Sequence, residues 1–375
     1  MSPVMPAAAW AAATAVLPGM TVHRLRSLLR SGGDPRRAWE MATGQLAPTG
    51  AAAEFLRDES LAGQWRASGG EPVVEQVWQR CCELGQTVLV DGSPDYPAAL
   101  RDLIDPPPVL FARGDLSLFE GRRVGIVGTR NATSAGRATA TALGRDLAAA
   151  GAHVVSGLAR GIDGCAHQGV LTTDGPGRAI AVVGSGLDVV YPPEHHRLWA
   201  RVAERGLLLS EAPPGRPPEP WRFPQRNRII AALAEVLVVV ESRETGGSLI
   251  TVDEALECGR PVMAVPGPVG SRSSSGTNRL LRDGAAVVLD ASDVLTALAI
   301  DHLPLACGAH ELRARPSSAD RVVYDACAGA PSTLDGLALA TGWPLAEVAM
   351  ALARLRQHGW VVEVDGWFEI DGAPL

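Results

Sequence analysis

The segment Val124-Gly125-Ile126-Val127-Gly128-Thr129-Arg130-Asn131 changes abruptly from an apolar run to glycine, a hydroxyl and an arginine. The apolar half is what a strand needs when helices cover both faces of its sheet, because neither face then meets water. The polar half continues to Gly136 and is typical of a loop that leaves such a strand and opens a helix. The segment therefore indicates one β-α unit of a parallel sheet.

The same pattern recurs over residues 85–300, where short apolar runs alternate with helical segments. This alternation is the signature of β-α-β units. Two apolar runs, at 88–90 and 109–112, predict strands at the edge of the sheet or a segment that leads into it. The other predicted strands are 124–127, 153–155, 179–183, 207–209, 236–240, 262–265 and 286–289. We expect an α/β fold, an extended Rossmann-like parallel sheet with helices on both faces, in a domain spanning residues 76–300.

Residues 1–75 predict a small helical domain of the helix-hairpin-helix or SAM-like type. A break at residues 31–34 separates its amphipathic run from the next segment. Such hairpins can hold DNA phosphates on backbone N–H groups, but the usual second glycine of the turn is missing, since Thr21 stands two residues after Gly19. Phosphate binding and simple packing both remain open for this region.

The C-terminal part predicts a linker at 301–320, rich in Pro, Gly and charge, and a winged-helix domain at 321–375. The domain would contain three helices, the second capped by Ser332 or Thr333 and the third opened by Pro344. Two strands would follow around an Asp365-Gly366 turn.

The composition excludes several classes of enzyme. The chain has 375 residues, 46% of them hydrophobic, and all 34 basic residues are arginine. Without lysine it cannot be a P-loop protein, a protein kinase or a Schiff-base enzyme. The net charge of −7 argues against a protein coated in nucleic acid but allows a local basic groove.

The cysteines and the apolar runs indicate a cytoplasmic protein. No two cysteines form a C-x-x-C pair, so neither a zinc site nor a disulfide framework is expected. No apolar run approaches the ~20 residues of a membrane span. The six cysteines are Cys81, Cys82, Cys165, Cys258, Cys307 and Cys327.

Five of the predicted strands end in glycine, hydroxyl or arginine residues. Because the carboxyl ends of parallel strands share one edge, this edge would bind an anion, most naturally phosphate. A dinucleotide cofactor is disfavoured, since the first loop lacks G-x-G-x-x-G and the second strand ends in Ser156-Gly157 instead of an acid. We therefore expect no cofactor. The five loops start at Gly128, Ser156, Gly184, Glu241 and Pro266.

Two basic segments border the same predicted edge. Residues 121–137 hold four arginines and no acid, and residues 212–230 hold four arginines and one glutamate. Arginine beside an aromatic ring suits unpaired nucleic acid, with guanidinium on phosphate and ring on base. Phe223 could equally be a core residue. Arg226 and Arg228 would oppose the dipole of their helix, which favours a bound anion there.

Six motifs follow one another over about residues 85–295. They are Gly128-Thr129-Arg130, Ser156-Gly157-Leu158-Ala159-Arg160-Gly161-Ile162-Asp163, Gly184-Ser185-Gly186-Leu187-Asp188-Val189-Val190-Tyr191-Pro192, Phe223-Pro224-Gln225-Arg226-Asn227-Arg228-Ile229-Ile230, Gly247-Ser248-Leu249-Ile250-Thr251 and Pro266-Gly267. In this order they resemble the motifs of the DNA-processing protein A family, also called DprA or Smf.

The resemblance implies a homodimer that binds single-stranded DNA, protects it during natural transformation and loads RecA, without catalysis. Self-association would map loosely to about residues 278–288, although Leu280, Leu281, Val287 and Val288 could also be core residues, and we expect most of them to be. Asp163, His167 and Asn278 would support the site without binding a metal. The expected strand-binding residues are Gly128, Thr129, Arg130, Ser134, Ser156, Gly157, Arg160, Gly161, Phe223, Arg226, Asn227, Arg228, Gly247 and Ser248.

Two other functions compete with this interpretation. Gly246-Gly247-Ser248 followed by Thr251 and Glu254 resembles the nucleotide phosphoribohydrolases of the lysine-decarboxylase-like (LOG) family, in which Glu254 would help to cleave an N-glycosidic bond. The winged helix could alternatively read DNA as a regulator. Its acidic balance and the absence of basic or amide residues at the start of its third helix favour a protein partner.

Overall fold

The computed structural model describes residues 5–298, 316–329, 332–364 and 366–370. The chain divides into two compact units, residues 1–305 and 306–375. Residues 301–315 of the predicted linker, together with Cys307, lie outside the described residues.

Six helices open the first unit. Thr21 caps the second of them by accepting a hydrogen bond from the Arg24 N–H at 3.2 Å, and Gly33 ends it in the left-handed conformation. Buried tryptophans fill the space between the helices, and Trp65 Nε1 donates to the Pro18 carbonyl at 2.7 Å. The predicted domain boundary near residue 75 falls inside the sixth helix. The helices are α1 Ala7–Val16, α2 Val22–Gly32, α3 Pro35–Ala42, α4 Ala52–Phe55, α5 Glu59–Ser68 and α6 Glu71–Glu83.

A nine-stranded sheet follows, and every predicted strand is present in it. The strand order is β1-β2-β6-β5-β4-β3-β7-β8-β9. Only the β1–β2 and β2–β6 pairs are antiparallel. The predicted parallel α/β sheet is thereby confirmed. The strands are β1 Thr87–Val90, β2 Val109–Gly114, β3 Arg123–Val127, β4 His153–Ser156, β5 Ala179–Val182, β6 Leu207–Ser210, β7 Val236–Val239, β8 Val262–Ala264 and β9 Ala286–Val287.

Helices cover both faces of this sheet. Side chains alternate between the faces of a strand, so Ile126 and Val238 join one buried cluster while Val127 and Val239 join another. This explains why the strands are apolar throughout. The helices are α7 Ala98–Arg101, α8 Ser134–Ala149, α9 Ile162–Val170, α10 His196–Arg205, α11 Arg222–Leu233, α12 Gly247–Glu257, α13 Ser275–Arg282 and α14 Ala291–Ala297, with 3₁₀ turns at Leu116–Phe119 and Pro193–His195.

The sheet has a switch point between β3 and β7. From β3 the chain passes to β4 on one side, whereas from β7 it passes to β8 on the other. The loops after these two neighbouring strands therefore diverge and leave a crevice at their carboxyl ends, where ligands bind in open α/β sheets.

The second unit has the predicted three helices and hairpin. Thr333 caps the second helix by accepting from the Gly336 N–H at 3.2 Å. Tyr324 and Trp360 pack edge to face in the core, with centroids 5.6 Å apart. Asp365 of the predicted turn lies outside the described residues. The elements are α15 Ser318–Gly329, β10 Ser332–Thr333, α16 Leu334–Thr341, α17 Leu345–Gln357, β11 Val361–Val364 and β12 Trp367–Ile370, with β12 between β10 and β11.

Across the described ranges, no single helix is long and apolar enough to cross a membrane. One pair, α16 with α17, reaches the necessary length and composition together but is bent by 111° at its break.

Candidate functional site

A cleft of about 500 Å³ occupies the switch point between β3 and β7. Its wall is built by the loops after β3, β4 and β7, by the first turns of α11 and by the N-terminus of α12. The lining residues are Val127, Gly128, Thr129, Arg130, Ala159, Asp163, Tyr191, Pro220, Phe223, Pro224, Arg226, Asn227, Ile230, Arg243, Gly246, Gly247, Ser248, Ile250 and Thr251.

Three arginines from three segments line this cleft: Arg130 after β3, Arg226 on α11 and Arg243 after β7. Arg130 and Arg243 are exposed, and neither forms an ion pair with any residue that the structure describes. Free guanidinium groups on one wall favour an anionic ligand.

Arg226 differs from the other two because it is buried, with 6% of its surface exposed. It donates to the Val182 carbonyl, and its Nη2 lies 4.0 Å from Asp163 Oδ2. Its Nε has no hydrogen-bond partner. Burial lowers the pKa of Arg226 to about 10, which still leaves it charged at neutral pH. Because the buried Arg226 guanidinium is only partly paired, a bound anion would stabilise it.

Gly157, in the loop after β4, leaves room for this guanidinium. A Cβ there would lie 1.9 Å from Arg226 Nη1. The Gly157 N–H donates to Asp163 Oδ2 at 3.1 Å, so one carboxylate fixes the loop and faces the cation. Burial raises the pKa of Asp163, opposed by the nearby charge of Arg226. The glycine thus makes the close approach of loop and guanidinium possible.

Glu241, at the end of β7, holds the loop after β3. Its carboxylate accepts from the Thr133 N–H at 3.0 Å, and its backbone carbonyl accepts from the Thr129 N–H at 2.8 Å. A Cβ at Gly136 would lie 2.3 Å from that carboxylate carbon. The two diverging loops of the switch point are therefore fixed to one another, which places Arg130 at the cleft.

Two aromatic rings stand at the same wall. Tyr191 and Phe223 lie 5.3 Å apart with their planes at 35°, and the Arg130 guanidinium lies 5.0 Å from the Phe223 centroid. A Cβ at Gly184 would come within 3.2 Å of the Phe223 ring. Phe223 is therefore half-buried among neighbours, whereas Tyr191 is 37% exposed.

The N-terminus of α12 completes the wall. Gly246 caps the helix without any side-chain hydrogen bond, and a side chain at Gly247 would meet open space. Ser248 Oγ donates to Ser242 Oγ at 2.9 Å. The Leu249 N–H already donates to the Gly246 carbonyl at 3.0 Å, so the N–H groups of Gly247 and Ser248 are those left for a ligand at this positive dipole end.

The structure brings most of the predicted site residues together. Gly157 and Arg160 line a smaller adjoining hollow, where Arg160 is exposed and paired with Glu194. Nine others line the cleft itself: Gly128, Thr129, Arg130, Asp163, Phe223, Arg226, Asn227, Gly247 and Ser248.

Four of the predicted strand-binding residues line neither the cleft nor the adjoining hollow. Ser156 Oγ donates to the Ile126 carbonyl at 2.6 Å. Gly161 has a φ of 75°, and a Cβ there would lie 2.3 Å from the Thr129 carbonyl oxygen. Ser134 is exposed at the start of α8.

The fourth predicted strand-binding residue outside both linings is Arg228. Its guanidinium forms a two-pronged ion pair with Glu211 at 2.6 and 2.8 Å.

Two predicted supporting residues also lie outside the lining. His167 is fully buried, and burial lowers its pKa to about 4, so it is neutral. The Asn278 amide accepts from the Gly267 N–H at 3.1 Å and donates to the Gly267 carbonyl at 2.9 Å. The described residues contain no group of three or more His, Cys, Asp or Glu that could hold a metal ion.

Sequence reasoning missed Tyr191, Arg243, Ile250 and Thr251 as cleft residues. Arg243 could have been found, because it lies in a loop already recognised at a strand end. Tyr191 could also have been found, because it lies inside the Gly184–Pro192 motif that the sequence shares with the family, although it stands seven residues after the strand-end glycine.

Comparisons with known proteins identify the family of the chain. The family described as DNA recombination-mediator protein A matches residues 87–299. The DNA processing protein DprA of Bacillus subtilis is 41% identical over 60% of this chain and 76% of its own length. Protein Smf of Escherichia coli is 35% identical over 73% of this chain and 74% of its own length.

Two solved structures are also similar. DNA processing protein A from Streptococcus pneumoniae superposes with a TM-score of 0.65 at 29% identity, covering 78% of this chain and 98% of that one. DNA processing protein A from Helicobacter pylori, described for its single-stranded DNA binding mode, has a TM-score of 0.52 at 30% identity, covering 58% and 96%. The chain belongs to the DNA recombination-mediator protein A family, whose members include the DNA-processing proteins DprA and Smf.

Proposed function

We propose that this chain binds single-stranded DNA in the cleft at the switch point and breaks no bond in it. The observation that carries the proposal is the convergence of Arg130, Arg226 and Arg243, from three separate segments, on one cleft whose lining also contains an aromatic pair. Guanidinium groups grip phosphates whatever the sequence, and every base has a face on which a ring can stack.

The phosphates would contact Arg130 and Arg243, which form no ion pair with any described residue. The accessible N–H groups of α12 would add neutral donors. Arg160 could join them once it leaves Glu194, since both side chains are exposed and an exposed ion pair contributes little stability. These contacts support affinity without base recognition.

The bases would stack against the Tyr191–Phe223 pair. Tyr191 is the more exposed ring and is the first candidate to meet a base. Phe223, flanked by Arg130 and Gly184, would buttress it or stack after Arg130 turns to a phosphate. Stacking of this kind contributes about 1–3 kcal/mol per base.

We further propose that a homodimer protects incoming strands during natural transformation and passes them to RecA. The description of the family as a recombination mediator supports this step. An exposed sheet edge at β9, with Val287 and Leu289 exposed, supports self-association. Sedimentation would test the dimer, and the rate of RecA filament growth on a strand coated with single-strand-binding protein would test the transfer.

The second unit is proposed to bind protein instead of DNA. Each arginine among its described residues is paired with a carboxylate: Arg354 with Asp320 at 2.6 Å, Arg321 with Asp325 at 3.0 Å, and Arg356 with Glu363. These pairs leave the described part of the unit without an unpaired arginine for a phosphate backbone.

The hydrolase alternative has weaker support. Glu254, the acid that would assist glycosidic cleavage, is absent from the cleft lining, and the lining carboxylate Asp163 is held by Gly157 and faces Arg226. Incubation with AMP distinguishes the two functions, because a hydrolase releases adenine and a binding protein does not.

The deciding experiment is fluorescence anisotropy with labelled oligo-dT and with a blunt duplex, repeated over a range of salt. We expect saturable binding of the single strand, weaker binding of the duplex, and a logarithmic affinity that falls linearly with the logarithm of salt. Equal affinity for both nucleic acids, or no binding of either, would refute the proposal.

A further inference from the structure

Arg228 belongs to the same Arg226-Asn227-Arg228 motif as the cleft arginine, but it is directed elsewhere. Consecutive helical residues are rotated by about 100°, so residues two apart on α11 face roughly opposite directions. Arg226 lines the cleft, and Arg228 is buried against Glu211 with side-chain exposures of 8% and 9%. A guanidinium in this position cannot reach a strand in the cleft.

Nearly all the donors of Arg228 are occupied. Nη1 donates to Glu211 at 2.8 Å and to the Gln225 carbonyl at 2.8 Å, and Nη2 donates to Glu211 at 2.6 Å. Nε donates to the Asp105 carbonyl at 3.0 Å. Glu211 directly follows β6, so the pair attaches α11 to the end of a sheet strand.

The Asp105 segment is also held by residues outside α11. Arg26 of α2 pairs with the Asp105 carboxylate and donates to the Pro106 carbonyl at 2.8 Å. Tyr96 donates its hydroxyl to the Pro107 carbonyl at 2.7 Å. A continuous chain of contacts therefore runs from the N-terminal helices through residues 105–107 to the back of α11.

We propose that Arg228 is a positioning residue for the strand-binding cleft, and that Arg26 connects the N-terminal helices to the same point. Arg228 and Glu211 fix the rotation of α11, which presents Phe223 and Arg226 to the cleft. The inference rests on the proposed single-strand binding. It attributes the geometry of the binding cleft to contacts that lie outside the cleft. It gives the N-terminal helices a part in strand affinity without any contact with DNA.

Glu211→Gln gives the sharpest test, because two explanations predict opposite signs. If Arg228 gripped a phosphate, loss of a neighbouring negative charge would raise the affinity for oligo-dT. If Arg228 positions α11, loss of its partner lowers the affinity by about 2- to 30-fold, the range measured for coupled residues. The salt slope then stays unchanged, since no phosphate contact is lost.

Arg228→Lys is the conservative companion, since it keeps the charge and removes the planar fork. We expect the same loss of affinity at an unchanged salt slope, with faster hydrogen exchange in α11 but not in α12. Local exchange separates positioning from general destabilisation, which would affect both helices. Wild-type affinity in a folded Arg228→Lys protein would overturn the inference.

If the buried Arg228–Glu211 pair proves necessary for folding, Arg26→Gln provides a second test of the inference. Asp105 is half-exposed, so loss of Arg26 leaves no buried carboxylate without a partner. We expect a fall in affinity of at least about twofold with faster exchange in α11. Unchanged affinity and exchange would overturn the connection to the N-terminal helices. Failure of the wild-type protein to bind oligo-dT would instead refute the proposed function.

Discussion

Replacing Arg130 with alanine removes the most accessible contact that we assign to the strand. Arg130 is exposed and has no ion-pair partner among the described residues, so its loss should leave no buried group unsatisfied. The stacking of its guanidinium over Phe223 contributes about 0.5–1 kcal/mol at an exposed site. The free energy of unfolding should therefore fall by no more than about 1 kcal/mol.

Binding should respond more strongly than folding. A hydrogen bond to a charged group contributes about 1.5–3 kcal/mol, which corresponds to roughly a 10- to 150-fold loss of affinity for oligo-dT. Each phosphate contact on a single strand contributes about −0.7 to the slope of logarithmic affinity against logarithmic salt. Arg130→Ala should make that slope shallower by about this amount.

The assay is anisotropy of labelled oligo-dT over about 50–200 mM salt, with Arg37→Ala as the matched control. Arg37 is also exposed but belongs to α3, outside the cleft lining. The control should keep the wild-type affinity and slope. An Arg130→Ala protein that binds like wild type, or that loses affinity with the slope intact, would show that Arg130 does not contact phosphate.

Gly157→Ala should lower affinity for oligo-dT about tenfold without changing any charge, because the new Cβ would displace the Arg226 guanidinium; wild-type anisotropy would contradict this. In the folded protein His167 stays neutral until the pH approaches 4, whereas in the unfolded chain it takes up a proton below about pH 6.5. Its contribution to the free energy of unfolding is therefore complete above about pH 6.5 and is lost as the pH falls towards 4. Urea titrations should show this loss as about 1.4 kcal/mol at pH 5.5, and His167→Gln should remove it from the pH profile. Asn278→Ala should lower the free energy of unfolding by about 1–3 kcal/mol, because it frees both backbone groups of Gly267; an unchanged urea midpoint would count against that clamp.

The sheet and the position of the cleft could be predicted from the sequence because both follow from local patterns. Apolar runs identify the strands, and their carboxyl ends must share one edge when they are parallel. That reasoning located Gly128, Gly157 and Gly247 correctly at the edge, without knowledge of any distant contact.

The direction of individual side chains could not be predicted in the same way. Helical periodicity predicts that Arg226 and Arg228 face different ways, but only the partners of Arg228 show which of the two faces the cleft. Those partners, Glu211 and Asp105, lie 17 and 123 residues away in the chain. Similarly, Phe223 was expected either to stack or to be buried, and its half-buried state depends on Tyr191, which approaches from a different loop.

The central claim is that an unpaired strand lies in the cleft at the switch point of the sheet. Photocrosslinking with an oligo-dT in which 5-iododeoxyuridine replaces some thymidines, followed by mass spectrometry, would identify the residues that contact the bound bases. We predict adducts concentrated at Tyr191 and Phe223 that disappear at high salt. Adducts confined to residues 318–370, or spread over the surface without enrichment at the cleft, would contradict the account.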